Sequence, residues 1–314
     1  MLEMVSLKKS VGKINIRGRL TVDEPMAAHT TFRVGGPADI FAQPEDVVDL
    51  RALLQFSCGE GLSPFILGGG ANILVSDRGI RGLVIDMSRF SSISIKRETS
   101  VEQETLHVQA GLPVSDAAAW CAEQGYAGLD FLYSMPGSVG GAVWMNARCY
   151  DGEVYNVLTH VDLLHHDGTQ ERYLPHPEDF AYKVSPFQDN RRVIVGCGFR
   201  MTPEPRDAVW QRMQHYRADR EQKGHFAAPS AGSMFKNNRD FGSPSGVIID
   251  RLGLRGYQIG GARISDRHAN IIINTGTATA ADIDQLATFV ADRVHERFGF
   301  TLEREVLRVG QWEE

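Results

Sequence analysis

The chain has 314 residues, of which 42% are hydrophobic and 23% are charged, a composition typical of a folded globular protein with room for two or three domains. Its net charge of -6 excludes an overall basic surface for nucleic acid or an anionic membrane. No apolar run approaches the roughly 20 residues of a membrane span, and the first residues lack a signal-peptide core, so the sequence predicts a cytoplasmic protein.

Helix and strand patterns alternate along the first two hundred residues. Residues 44–56 repeat apolar side chains at helical spacing. Residues 63–77 follow as a strand, a glycine turn and a second apolar run. The later elements predicted in this part are a helix at 113–125 and strands at 82–87, 106–111, 161–169 and 192–201. In the strand at 192–201, apolar side chains alternate with others, which is typical of a half-buried strand.

A domain boundary is predicted near residues 202–207, where two prolines interrupt the pattern and Pro205 can open a helix. A strand is predicted at 270–274, and a last helix from Thr279, where Asp282 completes a capping box with Asp in place of Glu. The sequence therefore predicts an α+β protein with an N-terminal extension at 1–24, a first domain at 25–203 and a second at 204–314.

Neither the cysteines nor the histidines have metal-ligand spacing. Cys58, Cys121, Cys149 and Cys197 are scattered without a CxxC pair, which favours reduced packing residues over a zinc site or disulfides. The adjacent pair at 165–166 would point to opposite faces of a strand and indicates a hairpin end. No metal site is predicted.

A run of three glycines follows the strand at 63–67. In LGGGANIL (67–74) the missing side chains let the backbone approach a ligand and direct several N–H groups at it, which suits a diphosphate. The loop is neither a Walker loop nor GxGxxG, because no Lys-Ser or Lys-Thr follows and no long helix begins there. A tight turn between two strands explains this loop alone equally well.

A second glycine loop, SMPGSVGGAVWMNA (134–147), favours the ligand interpretation. It combines Gly137, Gly140 and Gly141 with the small polar side chains of Ser138 and Asn146. Two such loops in one domain, without the Rossmann pattern, indicate a dinucleotide bound in an extended form between two small subdomains.

Seven motifs, in this order, resemble the UDP-N-acetylenolpyruvoylglucosamine reductases, the MurB family, from about residue 25 to residue 310. They are HTTFRVGGPAD, LGGGANILVSDRG, MPGSVGGAVWMNA, AYKVSPFQ, PSAGSMFKN, GGARISDRHANIIIN and LEREV. Each glycine loop alone is a weak signal, but the ordered combination is specific. About 40 residues separate AYKVSPF from PSAGS, which resembles the shorter type of the family, without an extra substrate-binding tyrosine loop.

The resemblance implies an FAD-binding domain of the vanillyl-alcohol oxidase/PCMH type, built of two α/β subdomains, and a C-terminal α+β substrate domain. It implies FAD as cofactor, NADPH as co-substrate, UDP-N-acetylglucosamine enolpyruvate as substrate and UDP-N-acetylmuramate, for peptidoglycan, as product, with no obligate protein partner. The residues that would hold FAD are Gly68, Gly69, Gly70, Ala71, Asn72, Ile73, Pro136, Gly137, Ser138, Gly140, Gly141, Asn146 and Ala147.

Three residues carry the chemistry that the resemblance implies. Ser233 matches the proton donor; it is not in a GxSxG elbow, which argues against a nucleophile. Glu305 matches the carboxylate that faces the substrate carboxylate; Glu303 shares its face if this is a strand, so only the resemblance distinguishes the two. Lys183 departs from the family's arginine at the position that stabilises the enolate; it keeps the charge and loses the planar fork.

Four further polar residues are expected to bind substrate. Tyr182, Lys236 and Asn237 lie beside the catalytic positions, and Lys223 could meet the UDP diphosphate or simply face solvent. Arg263 and His268 match a family segment near the ligands, and a role in shaping a turn explains them equally well. Arg148 and Asp151 stand where the family mostly has glycines, and Asn238 stands where it commonly has a proline.

Two other functions remain open on the sequence. A flavin oxidase or dehydrogenase for another alcohol or hydroxy acid explains both glycine loops but leaves Ser233, Asn237 and Glu305 as coincidences. A nucleotide-sugar-binding relative that has lost activity is suggested by Lys183, and retention of Ser233 and Glu305 argues against it.

Overall fold

The computed structural model describes residues 11–97, 104–189 and 191–312, which form two compact units. The first unit holds the residues up to Val22, Ile40–Gly69 and Gly82–Arg217, and the second holds Asp23–Asp39, Gly70–Arg81 and the residues from Ala218. Two short segments from the N-terminal half thus pack with the C-terminal part, whereas the predicted domains are continuous stretches. Residues 1–10 of the predicted extension lie outside the described residues.

The helices and strands of the described residues follow in chain order. The helices are α1 Val47–Gly59, α2 Val114–Glu123, α3 Val139–Trp144, α4 Val154–Val157, α5 Arg206–Gln222, α6 Ser245–Asp250 and α7 Ala280–Phe298. The strands are β1 Arg19–Pro25, β2 Pro37–Gln43, β3 Phe65–Leu67, β4 Ile73–Val75, β5 Ile80–Asp86, β6 Ile93–Arg97, β7 Glu104–Gln109, β8 Tyr126–Ala127, β9 Arg148–Cys149, β10 Gly152–Glu153, β11 Leu158–His165, β12 Gln170–Tyr173, β13 Arg192–Arg200, β14 Thr202–Pro203, β15 Gln258–Ile259, β16 Ala262–Ile264, β17 Ile272–Asn274 and β18 Leu307–Val309.

An antiparallel sheet in the order β12-β11-β13-β7-β6 forms the larger part of the first unit. The strand predicted at 192–201 is confirmed as β13, but it is not half-buried. Cys197 and Phe199 belong to one hydrophobic core, and Val193 belongs to another. A central strand between two cores needs apolar side chains on both faces, so simple alternation understates its burial.

A four-stranded sheet, mostly in the first unit, has the order β1-β2-β5-β3, in which β3 and β5 are parallel. Helix α1 packs the buried side chains of Leu50, Leu53 and Leu54 into the same core as Ile40. Asp46 caps this helix by accepting hydrogen bonds from the N–H groups of its first turn. The helix and strand predicted at 44–56 and 82–87 are therefore confirmed.

In the second unit, the antiparallel strands β15, β16 and β17 share a core with α7. The capping box at Thr279 and Asp282 is confirmed. Asp77 adds a second carboxylate at this helix end, because it accepts hydrogen bonds from the N–H groups of Ala280 and Ala281 at 2.8 and 2.9 Å. A carboxylate there satisfies otherwise unpaired N–H groups and complements the helix dipole.

The cysteines occupy different environments. All four are free thiols, with Cys121 and Cys197 buried and Cys58 exposed. Burial raises the pKa of the Cys121 thiol to about 12, so this side chain stays protonated and packs as a small apolar group. In the part of the chain that the structure describes, no helix is both long enough and apolar enough to cross a membrane.

A two-residue hairpin joins β9 and β10. Its loop residues, Tyr150 and Asp151, have φ angles of 47° and 64°. Positive φ at both positions is the geometry of a type I′ turn, which favours Asn or Asp followed by Gly. The ring of Tyr150 stacks on Tyr216 at 4.1 Å, so Asp151 is the loop position that can be changed without losing this contact.

Replacing Asp151 with glycine is expected to stabilise the protein by about 0.5–1 kcal/mol, because glycine adopts a positive φ without steric cost. Urea unfolding followed by far-ultraviolet circular dichroism measures the change. Asp151→Ala is the control: alanine does not relieve the strain, so it should give no gain. Equal stabilisation by both substitutions would contradict the explanation.

Candidate functional site

The two predicted glycine loops touch each other in the first unit. Strand β3 ends at Leu67, directly before the first loop. A Cβ at Gly68 would lie 2.5 Å from the Ser138 hydroxyl, and one at Gly69 would lie 2.6 Å from the Cα of Gly137. Gly69 therefore meets the bare backbone of Gly137, and Gly68 leaves room for the Ser138 hydroxyl.

The second stretch is not a continuous loop as predicted, because α3 occupies 139–144. Ser138 begins this helix as its N-cap and accepts a hydrogen bond from the Gly141 N–H at 3.3 Å. Gly140 packs on the neighbouring strand end: a Cβ there would lie 2.8 Å from the Cβ of Ala110. Glycine at 140 therefore serves helix packing, while Gly137 precedes the helix with a φ of 116°.

Asn146 is fully buried, and its side chain is bonded to protein groups on both ends. Its amide donates to Glu153 Oε1 at 2.7 Å and to the Ala181 carbonyl at 3.0 Å, and its oxygen accepts from the Tyr155 N–H. Ala147 is also buried, whereas Pro136 is exposed. Asn146 thus holds the segment that carries Tyr182.

Tyr182 and Lys183 form the tip of a tight turn. Ala181 and Val184 exchange backbone hydrogen bonds across it, at 3.0 and 3.2 Å. Lys183 has a φ of 61°, a left-handed conformation that is uncommon for residues other than glycine. Gln188 donates its side-chain amide to the Lys183 carbonyl at 3.1 Å. The lysine Nζ lies 5.9 Å from the centre of the Tyr182 ring, so the two predicted substrate contacts are neighbours.

The rest of the first glycine loop, from Gly70 to Ile73, belongs to the second unit. Gly70 has a φ of 59° and lies so close to the His29 carbonyl that a Cβ would be 1.9 Å from its oxygen. After Ala71, the side chain of Asn72 donates to the Glu305 carbonyl at 3.0 Å. Ile73 starts β4, which pairs in parallel with β18.

The second unit brings the segments of Ser233 and Glu305 together. The Glu305 N–H donates to the Met234 carbonyl at 2.8 Å, and the Lys236 N–H donates to the Glu303 carbonyl at 2.9 Å. Ser233 is partly buried and pairs as an isolated bridge with Ile271 on its other side. The predicted acid and the predicted carboxylate therefore lie on adjacent stretches of backbone.

Glu303 and Glu305 precede the strand β18, so the condition for a shared strand face is not met. The two glutamates differ in burial: Glu303, which forms an ion pair with the Lys236 ammonium, has a side chain that is 71% exposed, whereas Glu305 is partly buried. Asn237 accepts a hydrogen bond from the Ser245 N–H at 2.9 Å. The structure therefore distinguishes Glu303 from Glu305, whereas their spacing in the sequence does not.

Lys223 forms an ion pair with Asp219, at 2.7 Å and one helical turn away. His225 and His268 lie nearby, with their rings 5.9 Å apart. Burial, with a smaller effect of Arg220, lowers the pKa of His225 to about 4; burial also lowers the pKa of His268. Both imidazoles are therefore neutral at pH 7, and the positive charges that act on them belong to Lys223, Arg220 and Arg255.

Three residues of this region were not singled out from the sequence: Arg220, His225 and Asn270. Asn270 is buried, and its side chain forms two hydrogen bonds with the backbone of Phe235. A polar residue at the start of an otherwise apolar run, NIIIN, is the signal that could have found it, because buried amides need partners.

The candidate metal ligands do not assemble. His165 pairs across the predicted hairpin with Glu171 at 2.7 Å. Over the described ranges 11–97, 104–189 and 191–312, no group of three or more His, Cys, Asp or Glu side chains could hold a metal ion.

Arg263, which matches a family segment near the ligands, forms an ion pair with Asp266 at 3.1 Å, three residues along the chain.

Comparison with known proteins covers both units. Residues 38–173 match the family described as FAD binding domain, and residues 223–309 match the family described as UDP-N-acetylenolpyruvoylglucosamine reductase, C-terminal domain. The UDP-N-acetylenolpyruvoylglucosamine reductase of Treponema denticola is 37% identical over 307 residues, which cover 94% of this chain and 95% of that protein. The reductase of Halalkalibacterium halodurans is 37% identical over 312 residues, covering 98% and 100%.

A solved structure gives the same result. The crystal structure of UDP-N-acetylenolpyruvylglucosamine reductase (MurB) from Thermus caldophilus superposes with a TM-score of 0.78 at 29% identity, over 94% of this chain and 100% of that one. The predicted fold class, an FAD-binding domain with a further C-terminal domain of mixed helix and strand content, is confirmed. With identity above 30% over nearly the whole length of these relatives, the chain belongs to the UDP-N-acetylenolpyruvoylglucosamine reductase family.

Proposed function

We propose that this FAD-dependent oxidoreductase reduces the enolpyruvyl ether of UDP-N-acetylglucosamine enolpyruvate to the lactyl ether of UDP-N-acetylmuramate, with NADPH as the reductant. Its family supports the reaction. Within the structure, the supporting observation is the hydrogen bond from the Glu305 N–H to the Met234 carbonyl, which joins the segment of the proposed acid to that of the proposed carboxylate. The product serves peptidoglycan synthesis, and we propose the cytosol as the location.

The glycine loops fit the diphosphate of FAD. Gly68 and Gly69 have no room for a Cβ beside the Ser138 hydroxyl and the Gly137 backbone, so the first loop is bare backbone where it meets the second. Bare backbone can direct N–H groups at phosphate oxygens. FAD, when bound, supplies the hydride for the double bond. We assign Asn146 a structural role beside the FAD site, because its side-chain amide already donates hydrogen bonds to Glu153 and to the Ala181 carbonyl.

The chain contributes the proton. Saturating the double bond requires a hydride at one carbon and a proton at its neighbour, and we assign the proton to the hydroxyl of Ser233, which regains it from water. Gly232 precedes it with a φ of 74°, so the chain turns sharply before the serine. Glu305 faces the charge that builds on the substrate carboxylate, either protonated or through a water molecule.

Lys183 supplies a positive charge for the same enolate. Its ammonium is a compact point charge, whereas an arginine at this position would offer two parallel N–H donors. The turn that presents it is held by Asn146 and Gln188 through backbone carbonyls, so the left-handed backbone does not depend on the side chain. Lysine and arginine can therefore be compared here without a change of backbone.

We assign substrate binding to four more residues. Tyr182 adjoins Lys183, and Lys236 and Asn237 follow Ser233 within four positions. Lys223 is proposed to meet the UDP diphosphate. Its partner Asp219 lies one turn away and is 28% exposed, and an ion pair that solvent can reach contributes about 0–1 kcal/mol. Exchange of Asp219 for a phosphate is therefore inexpensive in free energy.

We also propose the shorter family type. Between the Tyr182 turn and the Ser233 motif, the described residues form β13, β14 and α5, with short connections from 200 to 206. This course supports a chain without an inserted tyrosine loop in that interval.

The Gly69→Ala substitution tests the FAD assignment. The added methyl would lie 2.6–2.9 Å from backbone atoms of Gly137 and Ser138, which cannot yield as a side chain can. We expect FAD affinity to fall at least tenfold, measured by fluorescence titration of the flavin-free protein. Gly59→Ala is the control, because nothing lies within 4 Å of its Cβ position. Wild-type affinity in Gly69→Ala would remove this loop from the FAD site.

Ser233→Ala separates the two half-reactions. NADPH should reduce the flavin at nearly the wild-type rate, whereas reoxidation by the enolpyruvyl substrate should slow about 100-fold or more, within the range for a general acid. Anaerobic stopped-flow absorbance of the flavin measures both steps. Ser230→Ala, in the same motif, should leave both rates unchanged. Wild-type reoxidation in Ser233→Ala would show that another group donates the proton.

Lys183→Met removes the charge and keeps the length of the side chain. We expect kcat/KM for the enolpyruvyl substrate to fall about 10- to 1000-fold, as for loss of one electrostatic contact to a transition state. Lys183→Arg retains the charge and should stay within about fivefold of wild type, since one charge-assisted hydrogen bond differs. A large loss in Lys183→Arg would mean that the site is shaped around lysine, and no loss in Lys183→Met would refute the role.

A further inference from the structure

Asn270 forms an unusual set of contacts for a residue outside the proposed chemistry. Its side chain is 3% exposed. Its Oδ1 accepts a hydrogen bond from the Phe235 N–H at 3.0 Å, and its Nδ2 donates to the Phe235 carbonyl at 2.8 Å. Its own carbonyl accepts from the Met234 N–H at 2.8 Å. Asn270 therefore satisfies three of the four N–H and carbonyl groups of Met234 and Phe235, the two residues that follow Ser233.

A carboxamide is required for this pairing. The buried Phe235 N–H needs an acceptor and the buried Phe235 carbonyl needs a donor, and the planar amide of asparagine offers both on one short side chain. Aspartate would keep the acceptor and set a second oxygen against the carbonyl. Glutamine would offer the same groups one methylene further out. Position 270 therefore requires both the amide group and the side-chain length of asparagine.

The contacts of Asn270 reach Ser233 through a short and rigid path. Met234 and Phe235 are each 1% exposed, so their side chains are fixed in the core of the second unit. Ser233 itself is bridged to Ile271, the neighbour of Asn270. On the other side, the Met234 carbonyl accepts from the Glu305 N–H. The backbone after Ser233 is therefore clamped between Asn270 and Glu305.

We propose that Asn270 is a positioning residue that fixes the Ser233 hydroxyl for proton donation. This inference rests on the proposed role of Ser233 as the acid. The proton must be delivered to one carbon of the substrate, and a displacement of about 1 Å can cost on the order of a hundredfold in rate. A residue that only stabilised the fold would affect both half-reactions or neither.

Asn274 provides a matched control. It lies four residues on in the same segment, is 6% exposed, and donates its Nδ2 to the Phe32 carbonyl at 2.9 Å, while its Oδ1 accepts from the N–H groups of Gly276 and Ala278. Asn274→Asp therefore makes the same chemical change to a buried amide of similar connectivity. These side-chain partners lie outside the Ser233 motif, and its backbone N–H donates to the Pro229 carbonyl of that motif at 2.9 Å, a bond that the Asp substitution keeps.

The test uses anaerobic rapid mixing of the FAD-loaded enzymes. In Asn270→Asp, we expect reoxidation of the reduced flavin by UDP-N-acetylglucosamine enolpyruvate to slow at least tenfold, while reduction by NADPH changes less than twofold. In Asn274→Asp, both rates should stay within twofold of wild type. Equal slowing in both variants, or equal slowing of both half-reactions in Asn270→Asp, would overturn the positioning role.

Asn270→Gln keeps the inference testable if the aspartate variant does not fold or hold FAD. It retains both hydrogen-bonding groups, so it should fold and bind FAD, and its displaced amide should slow reoxidation at least threefold with reduction by NADPH unchanged. Wild-type reoxidation in every folded Asn270 variant would refute the inference.

A double variant separates this inference from the proposed function. If Asn270 acts through the serine, Ser233→Ala/Asn270→Asp should reoxidise within twofold of Ser233→Ala alone, because the group to be positioned is absent. If the rate losses of the two single substitutions instead multiply in the double variant, the positioning role is refuted. If Ser233→Ala reoxidises at the wild-type rate, the assignment of the acid fails and this inference falls with it. A slow Ser233→Ala beside a fast Asn270→Asp refutes the positioning role alone.

Discussion

The hydrogen bond between the Glu305 N–H and the Met234 carbonyl is the constraint on which the proposed arrangement of Ser233 and Glu305 depends. It joins two stretches that are distant in sequence. Asn72 extends the connection, because its amide donates to the Glu305 carbonyl, and its own carbonyl accepts from the Leu307 N–H. Asn270 extends it on the other side through Met234 and Phe235. Hydrogen bonds in such a partly buried series reinforce one another, since the local dielectric is low.

Strained backbone occurs where the proposed ligand contacts are presented. Lys183 adopts a positive φ at the tip of its turn, which costs about 1 kcal/mol or more for a residue with a Cβ. Hydrogen bonds from Asn146 and Gln188 to carbonyls of that turn offset this cost. The glycines at 68 and 69 are required by close contact, because atoms of the second glycine loop leave no space for a Cβ. At Gly70 both reasons apply, because its φ is 59° and a neighbouring carbonyl also leaves no space for a Cβ.

The sequence predictions that were confirmed rest on patterns within a single helix or strand. The helix from Thr279 followed from a capping box and a periodic apolar face, both contained within a few turns. The helix in 134–147 was missed because its short run of glycines and small residues has little helical signal; Ser138 at the N-cap and packing on Ala110 stabilise it instead. The grouping of 23–39 and 70–81 with the C-terminal part depends on contacts such as that of Asp77 with Ala280, and no local pattern encodes such a distant partner.

The second unit combines two kinds of polar group with opposite properties. The amides of Asn72 and Asn270 are bonded within the fold, and removing a partner would leave a buried group unsatisfied at about 1–3 kcal/mol. The ammonium groups of Lys223 and Lys236 are instead paired with carboxylates that are partly or largely exposed, and such pairs contribute about 0–1 kcal/mol. In the proposed substrate complex, an anionic group replaces Asp219 or Glu303 as the partner of these lysines, and the hydrogen-bonded backbone stays in place. This division suits a chain of net charge -6, because the proposed attraction for a diphosphate then depends on a few local cations.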